Sequence, residues 1–207
     1  YHDAGGYENV VEQVEQVENC VSRGADAIII GAVSTDAINP ALENALNNDI
    51  VVIDMGNGVS IADIPGRAIV DYYQMGQAAA QQLLLDEEID QVALLPGPAG
   101  AGWVERTVQG FRDALEGEDI EIVDVLYGDT AREVQLSLTE DVVSATPDLD
   151  AIVGTAVTMS VAPTVLAERG LDEEIDLFGT YAIPETLDLI ESGRVECAPS
   201  EQPVVTA

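Results

Sequence analysis

Lysine is absent from this 207-residue chain, and histidine occurs once, as His2 near the start. The basic side chains are seven arginines, Arg23, Arg67, Arg106, Arg112, Arg132, Arg169 and Arg194. Against them stand 39 Asp and Glu, for a formal net charge of −32. A nucleic-acid binder needs a basic face to neutralise phosphates, so that class is excluded. With a single histidine near a terminus, a histidine-based catalytic or zinc site has nothing to build on. The two cysteines, Cys20 and Cys197, lack metal-ligand spacing. They either pair as one disulfide in an oxidising compartment or stand as two separate buried thiols. No apolar run is long enough to span a bilayer; Ala27-Ile28-Ile29-Ile30 is strand-sized. No signal peptide is visible, but Tyr1-His2-Asp3 reads like the interior of a domain, so that absence says nothing about compartment.

What is present can fold. Hydrophobic residues make up 47% of the chain, enough to bury a real core in one large or two small domains. The acids are spread along the whole length rather than gathered in a patch for a cationic partner. That distribution fits a solvation strategy in high salt, and a halophilic source is the expectation.

The apolar spacing alternates between two periods. Val10, Val14, Val17 and Val21 recur at helical intervals, and Gly24 ends that helix before a buried strand at Ala27–Ile30. A helix over about Pro40–Asn47, strands at Ile50–Ile53 and Ala68–Val70, and a helix over Tyr73–Leu85 follow. After Asp86-Glu87-Glu88 the pattern restarts. Strands are expected at Val92–Leu95, Ile120–Val125, Ala151–Val153, Leu177-Phe178 and Val195–Ala198. Helices are expected at Val104–Leu115, Arg132–Ala145, Val161–Arg169 and Pro184–Ser192. This alternation predicts an α/β chain of two Rossmann-like units, each a parallel sheet covered on both faces.

In open parallel sheets, ligands bind beyond the carboxyl ends of the strands. The loops at those ends carry little chemistry. Asp3 with Asp54, or Asp71 with Glu105, are conceivable acid pairs, but 39 acids guarantee accidental pairings. Ser34 and Ser60 have no histidine partner. Gly97-Pro98-Ala99-Gly100-Ala101-Gly102-Trp103 suits a phosphate-cradling loop, yet no Gly-Lys-Ser/Thr follows, and its glycines fit a tight strand-to-helix turn equally well. No nucleophile–base pair or metal cluster can be assembled, so an enzyme is not expected. Aromatics are scarce, at 4% of residues, and Tyr7, Tyr72, Tyr73, Trp103 and Tyr181 all fall at strand-end loops, with Phe111 and Phe178 in the core. Several aromatics on one rim point to a pocket for a methylated amine, held by cation–π contact.

Ala25-Asp26-Ala27-Ile28-Ile29-Ile30, Gly110-Phe111, Gly179-Thr180-Tyr181 and Ala198-Pro199-Ser200-Glu201-Gln202-Pro203 resemble the type I periplasmic binding proteins, the ribose-binding and LacI-like group. A narrower resemblance is to members of that family that sense trimethylamine N-oxide for a sensor histidine kinase. It is carried by Tyr1–Tyr7, Asn19–Ala27, Asp71–Gly76 and Gly193 through Gln202. The resemblance implies an extracytoplasmic receptor without cofactor, of two lobes joined by three crossovers, near Ile89–Gln91, near Tyr181–Ile183 and after Gln202. Lobe one would hold 1–89 plus 182–203 and lobe two 90–181, with 204–207 beginning the return crossover. The first strand and helix of lobe one and the final helices would be lacking.

Sugar binders of the group place carboxylates where this chain has Thr155-Ala156 and Tyr181, and an arginine near Glu105, with Arg106 beside it. Asp71 is retained, followed by Tyr72, and Gln202 keeps the family glutamine. A sugar ring stripped of such partners leaves its hydroxyls unpaired. The resemblance therefore implies a compact methylamine bound by Tyr7, Asp71, Tyr72, Trp103, Tyr181 and Gln202, with closure of the lobes signalling to the kinase. In that reading Asp71 complements the positive nitrogen. A binding protein feeding an ABC permease with a sugar-like or other small solute is the alternative.

Overall fold

The computed structural model describes residues 1–201 and divides them into two compact units. The first comprises Tyr1–Val70 and Gly100–Glu105; the second comprises Asp71–Ala99 and Arg106–Glu201.

In the first unit, α1 (Val10–Ser22) carries the valine stripe and stops where Gly24 turns left-handed at φ +69°. β1 (Ala27–Ile30), α2 (Asn39–Asn47), β2 (Val51–Gly56) and β3 (Gly66–Ile69) follow. The three strands pair in parallel in sequence order, with Ala27 opposite Val51 and Ile53 opposite Gly66. Val17, Ile28, Ile30, Ile38, Leu42 and Val52 form the core between the two helices and one face of this sheet. The opposite face is bare among the described residues: Ile29 is 64% exposed, and Val51, Met55 and Ile69 are exposed as well. This corrects two expectations. β1 alternates between exposed and buried residues instead of being buried throughout, because no described layer covers its second face.

The second unit begins with α3 (Tyr72–Leu83) and β4 (Gln91–Gly97). Next come α4 (Gly102–Ala114), whose first turn belongs to the first unit, β5 (Glu121–Tyr127) and α5 (Arg132–Ala145). β6 (Ala151–Gly154), α6 (Ala156–Arg169), β7 (Asp176–Gly179) and α7 (Pro184–Glu191) complete it. Its sheet is wholly parallel in the order β5-β4-β6-β7, and β4 and β6 are buried on both faces. Ala93, Leu95, Ile152, Met159, Leu166 and Leu177 are central to its core. α6 starts five residues before the expected Val161, because Thr155 caps it by accepting from the Thr158 N–H at 3.1 Å. The continuously apolar stretch hides that start from any periodicity.

The partition differs from the expected lobes in three places, one of them Gly100–Glu105, which lie with the first unit instead of lobe two. α3 lies with the second unit, crossing α4 so closely that a Cβ on Gly76 would sit 2.1 Å from the Thr107 carbonyl oxygen. Residues 182–201 lie there too. α7 packs on α6, and Cys197 pairs in parallel with Phe178. The Glu196 N–H donates to Leu177 O at 2.9 Å and the Gly179 N–H to Cys197 O at 2.8 Å. Backbone pairing to β7 therefore decides where this segment belongs. Residues 204–207 lie outside the described residues.

Candidate functional site

Both units present loops at the carboxyl ends of their strands, and the aromatics lie on them. In the first unit, Tyr7 and Trp103 face each other with ring centroids 6.0 Å apart and planes tilted by 55°. Trp103 is buried, at 4% exposure, rather than standing on a rim. Its approach depends on Gly102: a Cβ there would lie 2.2 Å from the Thr35 hydroxyl oxygen. Asn57 fixes the other ring, its side-chain amide donating to the Tyr7 hydroxyl at 3.2 Å and to the Ala32 carbonyl at 2.8 Å. Gln13 on α1 ties in the loop after β1, donating to Gly31 O at 3.0 Å and accepting from the Val33 N–H at 2.9 Å.

The conceivable acid pair of this unit is already engaged. Asp3 accepts from the Gly5 N–H at 2.8 Å. Asp54 is fully buried, accepting from the Val59 N–H at 3.0 Å and meeting Arg67 Nη1 at 3.4 Å. Arg67 also donates to the Val59 and Ile61 carbonyls, so the pair clamps the segment between β2 and β3.

In the second unit, Asp71 is the N-cap of α3. One carboxylate oxygen accepts from the Gln74 N–H at 3.1 Å and the other from the Gln74 side-chain amide at 2.8 Å. The half-buried Tyr72 comes next, and its hydroxyl bonds the Glu201 carboxyl. Burial pushes that carboxyl above the usual carboxylate range, with the Tyr72 bond pulling it back. Tyr73 turns away to α4: its hydroxyl donates to Asp113 at 3.0 Å, and Arg106 lies 5.5 Å from its ring centroid. The bond to Asp113 holds the Tyr73 hydroxyl above its ordinary pKa.

β6 and β7 end without an ionisable side chain. Behind Thr155-Ala156 lies a buried polar network. Thr158 Oγ1 donates to the Gln135 side-chain oxygen at 2.7 Å, Thr155 Oγ1 lies 2.9 Å from Thr158 Oγ1, and the Gln135 amide donates to Asp129 O at 2.8 Å. Thr180 is tied to Gly154 O through its N–H at 2.7 Å and its hydroxyl at 3.2 Å, which delivers the half-buried Tyr181 to the strand end.

The structure thus pairs Tyr7 with Trp103 in one unit. In the other it sets Asp71, Tyr72 and Tyr181 on strand-end segments. Gln202 lies outside the described residues. Asn57, Gln135 and Glu201 were not proposed as site residues from the sequence, although Glu201 lies within the Ala198–Pro203 motif that carries the family resemblance. Cys20 and Cys197 are both free thiols, and burial raises the pKa of Cys197. Among the described residues no group of His, Cys, Asp or Glu could hold a metal, and no helix is long and apolar enough to cross a membrane. Two cavities lie away from these aromatics. One of about 610 Å³ is lined by Leu166, Asp176 and Arg194, and one of about 510 Å³ lies against Ile29, Gln16 and Cys20.

Residues 4–207 match the model of the periplasmic binding protein domain. The chain belongs to that family. Its two α/β units, each built on a parallel sheet, agree with that membership. It is 30% identical to the periplasmic protein TorT of Escherichia coli K12 over 205 residues, 98% of this chain and 58% of TorT, so it spans well under two thirds of that relative. Among solved structures, the complex of the TorS sensor domain with TorT without ligand is 28% identical, with a TM-score of 0.81, covering 99% of this chain and 71% of that one. The same complex in the presence of TMAO, trimethylamine N-oxide, gives 28% and 0.80, covering 99% and 70%. An ABC transporter solute-binding protein from Bradyrhizobium sp. BTAi1 with bound Bis-Tris is 39% identical, with a TM-score of 0.69, covering 94% of this chain and 60% of that protein.

Proposed function

We propose that this periplasmic binding protein is a receptor for trimethylamine N-oxide or a closely related methylamine, and that it reports to a sensor histidine kinase. The observation that carries this reading is the chemistry of the strand ends in the second unit. β6 and β7 finish on Thr155-Ala156 and Thr180-Tyr181, and the polar side chains there turn inward to Gln135 and Gly154. The residues that directly follow β6 and β7 thus supply no carboxylate for sugar hydroxyls, whose desolvation goes uncompensated by these two strand ends. Tyr7, Tyr72, Trp103 and Tyr181 offer aromatic faces to methyl groups on a positive nitrogen. Asp71 and Gln202 complete the proposed set. The likeness to TorT, solved with the TorS sensor domain in the presence of TMAO, supports both ligand and output.

One observation favours a second reading. The Bradyrhizobium protein, 39% identical, is an ABC transporter component, and the ligand bound to it, Bis-Tris, is a tertiary amine. In that case the amine site stands and the output is an ABC permease. Isothermal titration with trimethylamine N-oxide, betaine, choline and ribose tests the ligand. Methylamine binding in the micromolar range is expected, and micromolar ribose binding with no methylamine binding sinks the proposal. Capture of a purified kinase sensor domain, against that of a permease, separates the two outputs.

A further inference from the structure

A methylated nitrogen carries positive charge that ring faces alone satisfy incompletely, and an adjacent carboxylate is the usual complement. Two acids stand near the start of α3. Asp71 is exposed, and each of its oxygens already accepts from Gln74 in capping the helix. Glu201 differs in both respects. The segment leading to it pairs with β7 through Cys197, then runs past the carboxyl end of that strand, where Tyr181 also emerges. There Glu201 is half-buried, with its carboxyl bonded to the Tyr72 hydroxyl.

We propose that Glu201, seated against Tyr72, supplies the negative charge facing the methylated nitrogen, and so selects a trimethylated ammonium or N-oxide over a molecule of the same shape that lacks a positive nitrogen. This rests on the methylamine reading above. Burial raises the Glu201 carboxyl, so its charged form lacks part of the hydration it would have in open water. A cationic nitrogen docked on the Tyr72 ring replaces that lost stabilisation. A ligand without a positive nitrogen does not, which makes the preference a property of this one carboxylate.

Titration of the full chain with trimethylamine N-oxide, tetramethylammonium and tert-butyl alcohol, the uncharged shape match, tests the assignment. The unsubstituted protein is expected to prefer both probes with a positive nitrogen to the alcohol. Glu201→Gln keeps the size and a polar partner for Tyr72, and should weaken tetramethylammonium about tenfold or more, the scale of one charge-assisted contact, and the net-neutral, dipolar N-oxide less, while leaving the alcohol unchanged. Glu201→Asp should retain the preference at reduced affinity. Circular dichroism establishes that each variant is folded. Equal binding of tetramethylammonium and the N-oxide by Glu201→Gln and the parent overturns the assignment, as does a parent that binds the alcohol as well as the N-oxide. A parent that binds no methylamine at all removes the function proposed above and this inference with it.

Discussion

Gly110 on α4 rests directly on the Tyr73 carbonyl of α3, where a Cβ would lie 2.0 Å from the oxygen. The reciprocal contact, Gly76 against the Thr107 carbonyl, makes the crossing a backbone-to-backbone one. Neither atom met is the movable tip of a side chain, so an added methyl forces the helices apart. Gly110→Ala should therefore destabilise the second unit by about 1–3 kcal/mol, despite alanine's better helix propensity. Urea unfolding measures this; a stabilised variant would show that the helices pack more loosely.

The Gln135 network predicts a second loss. Gln135 is fully buried and serves both the Thr158 hydroxyl and the carbonyls of the loop after β5. Gln135→Leu keeps the volume but strips those groups of their partner, at about 1–3 kcal/mol. Thr158→Val should lose part of the same amount, and the double variant less than the sum, because the two changes break one shared bond. Additive losses in urea midpoints would mean that the two residues act separately.

Much of the fold could be read directly in the residues, because most helices and strands obey clean periods. α5 starts and stops at the expected residues, as does β1, and Phe111 and Phe178 are buried as anticipated. The start of α6 was hidden because it is apolar on every side and its signal is a single capping threonine. The division into units rests on long-range contacts that no local period carries: the Gly76 and Gly110 crossing, and the pairing of Cys197 with β7. Of the candidate site, the aromatics were visible through their scarcity and position. The roles of Asp71 and Glu201 were not, since both are acids in an acid-rich chain and only their partners, Gln74 and Tyr72, tell them apart.

Asp176 gives stability a defined pH dependence. Burial raises its carboxyl pKa, and the neighbouring Glu196, Asp86, Asp150 and Glu88 raise it further. The folded state thus holds this proton more tightly than the unfolded state. Its contribution to stability is present below the unfolded pKa and is lost as pH rises through the folded one. Asp176→Asn, which cannot ionise, is expected to unfold at higher urea than the parent at pH 7. The advantage should shrink as pH falls through the carboxylate range. An advantage that grows on acidification would reverse the sign of this linkage.

Salt should stabilise the protein. The net charge is −32, yet among the described residues only two ion pairs form, Arg67 with Asp54 and Arg132 with Glu185. The first is shielded by the burial of Asp54, and the second is exposed and worth little. Screening therefore removes far more repulsion than attraction. The Debye length falls from about 10 Å at 0.1 M to about 3 Å at 1 M, short enough to uncouple most surface carboxylates from one another. The melting temperature in KCl should climb between those concentrations, by about 2–4 °C for each kcal/mol of repulsion relieved in a chain of this size. KCl is the salt of choice because sulfate would also strengthen apolar burial and blur the cause. A melting temperature that stays flat or falls would mean that the carboxylates are too well hydrated to repel one another, and would remove the physical ground for expecting a halophilic source.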